Sequence, residues 1–269
     1  MSLTTSKLSR IAIAAALTAT GSASMAQIYG AEAYRIVAAP GKDGGYAGVG
    51  VIGGMQYQGS DEHRTAILPT VEYQWANGWF AGVVNGVGYN FSKNPALQYG
   101  GRITLDIGRE EIRSSRLKGM GNIDTKAEVG GFFNYAFMPG VMLTSSLRTG
   151  SGNENNGTLL DVGLGYSTKL NDQWGFSTGA GLTWANDAYM QSYFGVSVAQ
   201  AKTSGYRVYT PGSALRDARV RVELSYQFDP KVSITLSVAS STLSDQAKLS
   251  PLVRKTDTVT GLLALVYAF

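Results

Sequence analysis

From residue 217 to residue 228 the chain alternates polar and apolar without a break. Asp217, Arg219, Arg221, Glu223, Ser225 and Gln227 fall on one face, and Ala218, Val220, Val222, Leu224, Tyr226 and Phe228 on the other. A period of two is the period of a β-strand. Residues 231–239 repeat it, with Val232, Ile234, Leu236 and Val238 against Lys231, Ser233, Thr235 and Ser237, and residues 160–169 do so again. Such alternation fits a soluble sandwich, whose apolar face is the core. It fits equally a membrane barrel, whose apolar face meets lipid while the polar face lines the lumen.

Three features favour the barrel. The runs are ten to thirteen residues long, close to the roughly 9–11 needed to cross a bilayer at a tilt and longer than the usual soluble strand of about 5–6. Aromatics cap the apolar faces: Trp174 and Trp184 lie ten positions apart on one face of the run 173–186, suited to the two interfacial girdles. The chain ends on Val259, Gly261, Leu263, Leu265, Tyr267 and Phe269 in alternation. Its last three outward residues, Leu265, Tyr267 and Phe269, resemble the C-terminal signal read by the barrel-assembly machinery.

Eleven runs read as strands: 45–58, 64–76, 79–91, 97–109, 124–138, 140–150, 158–170, 173–186, 215–228, 231–241 and 258–269. A barrel with both termini in the periplasm needs an even number. The weaker run 28–37 makes about twelve, and ten is the alternative if two N-terminal runs merge. Short breaks at Asn94-Pro95, Pro139-Gly140, Asn171-Asp172 and Asp229-Pro230 alternate with long ones at 110–122, 151–157, 187–214 and 242–257. The fold class is therefore all-β: a single transmembrane antiparallel β-barrel with short periplasmic turns and longer external loops. Loop 187–214 is long enough for an extra hairpin.

The N-terminus carries a different signal. Lys7 and Arg10 precede an apolar run from Ile11 to Thr20, and Ser24-Met25-Ala26 supplies a small-x-small cleavage site. The run is shorter than the roughly 20 residues of a spanning helix. Residues 1–26 thus read as a signal peptide and residues 27–269 as the barrel, exported to the outer membrane of a Gram-negative bacterium. No later stretch of 18 apolar residues occurs.

Composition agrees. Charged residues make up 16% and hydrophobic ones 44%, with 34 Gly and no Cys. Low charge with ordinary hydrophobicity is what alternation in a membrane wall produces. Removing Lys7 and Arg10 lowers the basic count from 23 to 21 against 19 acidic residues, which is no nucleic-acid footprint.

The register aims Arg102, Lys126, Arg148, Lys169, Arg219, Arg221 and Lys231 into the lumen, with Glu72, Asp106, Glu128, Asp161, Asp217 and Glu223. Near balance lets these groups pair by charge-assisted hydrogen bonds, and inward glycines such as Gly82 and Gly130 leave them room. The pattern suits a lumen plugged by ion pairs, and equally the ordinary polar lining of an open pore.

Catalytic chemistry finds little support. The single histidine, His63, follows Ser60 and Asp61 in a polar turn, but triads assemble from positions far apart in sequence. One His and no Cys leave few metal ligands, and the glycine-rich stretches lie on strands with no following helix to make a phosphate loop. No enzyme, cofactor or metal site is expected.

Several segments together resemble the MltA-interacting protein family (MipA/OmpV) of outer-membrane proteins. They are Tyr57-Gln58-Gly59-Ser60-Asp61, Leu68-Pro69 with Val71-Glu72-Tyr73, and Gly108-Arg109 with Leu117-Lys118-Gly119-Met120-Gly121-Asn122-Ile123. Further on come Tyr193-Phe194-Gly195-Val196-Ser197, Gln200-Ala201, Ser204-Gly205, Leu249-Ser250-Pro251-Leu252-Val253 and Tyr267-Ala268-Phe269. Asn122 departs from the Asp expected there. The resemblance implies a non-enzymatic scaffold bridging a lytic transglycosylase and a murein synthase, with no catalytic residues. Two other roles remain open: a small-solute channel through the polar lumen, or an adhesin. Tyr189, Tyr193, Tyr206 and Tyr209 offer contact area for adhesion, although folding back to cap the barrel mouth is the favoured reading of those rings.

Overall fold

In the computed structural model, which describes residues 34–269, the alternating runs form antiparallel strands that close on themselves. They are β1 (Gly44–Met55), β2 (His63–Gln74), β3 (Trp79–Gly82), β4 (Gly86–Asn90), β5 (Leu97–Asp106), β6 (Lys126–Met138), β7 (Val141–Ser151), β8 (Gly157–Lys169), β9 (Trp174–Ala185), β10 (Ala214–Gln227), β11 (Val232–Leu243) and β12 (Asp257–Ala268). Each pairs with its sequence neighbours, and β1 meets β12 from Tyr46↔Ala268 to Gly53↔Gly261. Closure gives backbone groups partners where lipid offers none. The leader 1–26 and the first part of the run 28–37 lie outside the described residues.

The outer face is an apolar band. On β12, Val259, Leu263, Leu265 and Tyr267 are about half exposed while Leu262, Ala264 and Val266 between them are buried. The start of β1 and the C-terminal residue meet at one rim, where Gly45 N–H donates to Phe269 O at 3.0 Å and Phe269 N–H to Gly45 O at 2.9 Å. That rim carries the tight turns. Asn171 Oδ1 accepts from the backbone of Gln173 and Trp174 at 2.9 and 2.8 Å, and Asp229 Oδ1 from Lys231 and Val232 at 2.7 and 3.0 Å. Side chains that mimic a backbone turn in this way explain why Asn and Asp stand at these positions.

The strand count of twelve arises differently from the sequence expectation. Run 79–91 is not one strand but the hairpin β3–β4, which reverses over residues 83–85 halfway up the wall. Glu72 on β2 holds this reversal, its Oε1 accepting from Val84 N–H at 2.5 Å. Gly82 is what admits the carboxylate, because a Cβ there would sit 2.1 Å from Glu72 Cδ. Residues 34–37, the described part of the run 28–37, form no strand. They lie inside the barrel, with Tyr34 and Ile36 buried.

Loop 187–214 holds two helices in place of the expected hairpin: α1 (Asp187–Phe194) and α2 (Val198–Ser204). Asn186 caps α1 by accepting from Tyr189 N–H. Ser197 and Gln200 form a reciprocal capping box on α2, which Gly205 ends at φ +78°. These local signals stop and start helices. A short helix α3 (Asp245–Lys248) lies in the last external loop.

Candidate functional site

The lumen holds a connected set of ions. Arg148 donates from Nη1 to Glu128 at 3.1 Å and from Nη2 to Asp161 at 2.9 Å. Arg219 joins the same Asp161 and also Asp217, both at 2.9 Å. Thr183 and Thr104 donate to Asp161 and Glu128, and Arg102 donates to Ser146 Oγ at 2.9 Å. These groups come from β5 to β10, so the cluster ties half the wall together across its interior. Gly130 makes space for it, since a Cβ there would lie 2.8 Å from Arg148 Cα.

The other lumen positions separate by height. Glu72 and Glu223 are buried, Arg221 and Lys126 are half-buried, and Asp106 sits where the lumen meets the external loops. Lys169 and Lys231 do not join the lumen charges. Both are exposed at the turn rim, and Lys231 Nζ lies over the outward ring of Tyr267 at 5.7 Å. Trp174 and Trp184 are partly exposed near opposite ends of β9, and Leu265, Tyr267 and Phe269 face outward.

Arg216 was not legible from alternation. It belongs to the outward phase, yet a β-bulge between Leu215 and Asp217 turns it inward. There it is buried, donates to Asp217 Oδ2 at 2.5 Å and reaches Tyr189 Oη of α1 at 2.9 Å. A bulge re-aims a side chain in just this manner. The only sequence trace is the run Arg216-Asp217, two charges in succession.

The lumen is also occupied by the N-terminal segment. The Tyr34 ring stacks on Phe132 at 4.0 Å and leans on Phe80 at 4.8 Å, and its hydroxyl donates to Gln74 Oε1. Asn85 holds Arg35 by two hydrogen bonds of 2.8 Å, one to its backbone N–H and one to its carbonyl, while Asn134 donates to Tyr34 O at 2.8 Å. Gln74 in turn exchanges hydrogen bonds with the backbone of Ala38, so three side-chain amides satisfy the backbone of an extended segment that has no strand partner among the described residues.

Above the lumen, segments remote in sequence assemble into one cap. Tyr57 donates to Leu252 O at 3.1 Å, Ser250 to Phe194 O at 2.6 Å, Arg109 to Tyr193 O at 2.9 Å and Gln200 to Met120 O at 2.7 Å. Met120, Val196 and Leu252 pack as a buried apolar cluster. Gly59 packs against Val253, where a Cβ would lie 2.6 Å from Cγ2. Nearly every external motif that carries the family resemblance therefore meets the others here. The loop tyrosines fold back: Tyr189 and Tyr193 stack at 4.5 Å, and Tyr193 Oη donates to Asp106 at 2.6 Å. Burial pushes the Tyr57 phenol up to about 12, and burial with Tyr189 and Asp106 nearby raises Tyr193 further. Both stay neutral donors. Glu111, in loop 107–125, accepts from the N–H groups of Gly119 at 2.9 Å and Gly121 at 2.6 Å, which hold its carboxyl below the usual range.

The Ser60, Asp61 and His63 cluster does not converge. Ser60 Oγ accepts from Glu62 N–H, Asp61 pairs with Arg116 at 2.8 Å, and His63 is exposed at the start of β2.

A family model described as MltA-interacting protein MipA matches residues 47–269. No curated protein matches the chain. Among solved structures the chain is similar to the NanC porin, at 13% identity over 81% of this chain and 98% of that one, with a TM-score of 0.45. It is similar to an outer membrane channel of Pseudomonas putida F1, at 11% identity over 89% and 98%, TM-score 0.47. It is also similar to the Ralstonia pickettii toluene transporter TbuX, at 11% identity over 94% and 99%, TM-score 0.39.

Proposed function

The chain belongs to the MltA-interacting protein family, and on that premise we propose that it is a closed outer-membrane barrel that anchors a lytic transglycosylase at its periplasmic rim. The family's name supports the partner class. The observation that carries the reading is the filled interior. Ion pairs span β6 to β10, residues 34–37 occupy the space beside them, and the loop cap lies above. A barrel built this way offers its rims to a protein partner. The rim where β1 starts and β12 ends presents Lys169, Asp172, Asp229 and Lys231 among short turns, and it faces the periplasm if the long loops face outside.

The barrel works as an anchor and not as a catalyst: it holds the enzyme near murein. A murein synthase recruited to the same rim would place synthesis beside cleavage. The terminal Tyr267 and Phe269 address the chain to the barrel-assembly machinery, and cleavage after Ala26 frees it for the outer membrane.

The test is a pulldown. Mature barrel in detergent, immobilised through a tag in an external loop, retains a purified MltA-type lytic transglycosylase. Loss of binding when the 170–173 and 228–231 turns are replaced locates the rim. No retention at any salt concentration sinks the reading. Small-solute passage draws on the polar residues that line the interior, and it requires the cap and the N-terminal segment to move. Steady single-channel steps of the intact barrel in a planar bilayer would favour that second role.

A further inference from the structure

The wall of the barrel has a notch. Because β3–β4 turns back halfway, β2 pairs with β3 only over Glu72–Gln74, and β5 pairs with β4 only over Gly100–Ile103. Val83 N–H closes the ladder at Val71 O. Beyond that point the edge of β2 from Thr65 to Pro69 has no strand partner among the described residues. Val71 faces this side with its backbone, and backbone groups alternate, so Thr65, Ile67 and Pro69 face it too. Pro69, with no N–H to leave unpaired, suits such an edge. The notch lies within the apolar band, since Ile67 is level with Val51 and Leu263, and Ile67 is 71% exposed. Open strand edges are not left bare in hydrocarbon.

Behind the notch the lumen changes character. Ala66 and Leu68, inward on β2, pack against a buried cluster that includes Ile52, Leu262, Ala264 and Val266. This inner wall is apolar, while the opposite wall carries the ions. At the upper end stands Arg64, inward and half-buried, with no hydrogen bond or ion pair of its guanidinium among the described residues.

We propose that the notch is a lateral binding slot for an anionic single-chain amphiphile. The acyl tail lies along Ala66 and Leu68, and the head accepts from Arg64 and from the N–H groups of Thr65 and Ile67, which have no partner among the described residues. The tail buries apolar surface, and the head satisfies the edge donors that lipid tails cannot. The slot rests on the barrel fold alone and stands whether or not the rim binds an enzyme.

Photolabelling tests it. Mature barrel in neutral phosphatidylcholine vesicles is irradiated with traces of ω-diazirine palmitic acid or of a lysophosphatidylglycerol bearing the same tail, and labelled peptides are mapped by mass spectrometry. Label is expected on Leu68 and Ile52 from one or both anionic probes, and which probe succeeds identifies the head group. The ω-diazirine alcohol of equal length labels outward residues only. Arg64→Gln lowers inward labelling about tenfold, the effect of one charge-assisted hydrogen bond, and Arg64→Lys retains most of it. Labelling of outward Ile67 and Leu263 stays constant in both variants, as does the heat-modifiable gel shift that reports folding. Anionic probes that label outward residues alone, or inward labelling indifferent to Arg64→Gln, overturn the proposal.

Discussion

Arg148 and Asp161, on the neighbouring strands β7 and β8, meet on the inner face at 2.9 Å with both side chains almost wholly out of water. The same guanidinium holds Glu128, and the same carboxylate holds Arg219. Each ion in the cluster therefore depends on at least one other for its charge to be tolerated there.

Removing one member leaves its partners buried and uncompensated, at a cost of about 3–5 kcal/mol. Asp161→Asn and Arg148→Met are each expected to destabilise the folded barrel by that order, read from urea unfolding in vesicles. Replacing Glu128, Arg148 and Asp161 together by apolar residues of similar volume should cost less than either single change. Additive losses would contradict the coupling.

Tyr34 fills the slot between Phe80 and Phe132. Tyr34→Ala removes a large buried ring, which costs about 3 kcal/mol in a packed site, and it frees the N-terminal segment. Single-channel conductance should rise in this variant and rise further when Asn85 is also changed to Ala. Unchanged conductance would mean that the ion cluster and cap close the lumen without the segment.

Glu111 orders its loop through the N–H groups of Gly119 and Gly121. These bonds depress its carboxyl below the ordinary value of about 4.3. A depressed acid contributes its full effect above the unfolded value and loses it as pH falls through the folded one. Loop 110–122 should hold its protease resistance from neutral pH down to about 4 and lose it below. Glu111→Gln should be cleaved faster at pH 7, as the wild type is in acid. Equal cleavage rates at pH 7 would remove Glu111 from this role.

In Phe269 the ladder contact and the proposed address signal fall on different groups. Its backbone pairs with Gly45, while its ring lies outside near Tyr73 at 6.2 Å. Phe269→Ser keeps the ladder and removes the ring. The level of assembled protein in the outer membrane should fall several-fold, with little change in the unfolding midpoint of the protein that does assemble. A wild-type level would show that the terminal aromatic is not read during assembly.

The sequence by itself determined the wall. Alternation is a local property, so the faces of β10, β11 and β12, the turns at Asn171 and Asp229 and the closing strand at Phe269 could all be read from neighbouring residues. It also put Arg148, Asp161 and Glu128 on the inner face, because a side chain's face depends only on its parity along its strand. Tertiary structure decided what parity does not encode. The hairpin β3–β4 exists because Glu72, on another strand, holds the turn at Val84 beside Gly82. Arg216 points inward because a single extra residue in β10 shifts the register against β9. Tyr57, Met120, Val196 and Leu252 converge only once strands far apart in sequence deliver their loops to one rim. Register, bulges and loop packing are set by partners distant along the chain, and so the notch beside Arg64, invisible in the run of residues, appears only when the barrel closes.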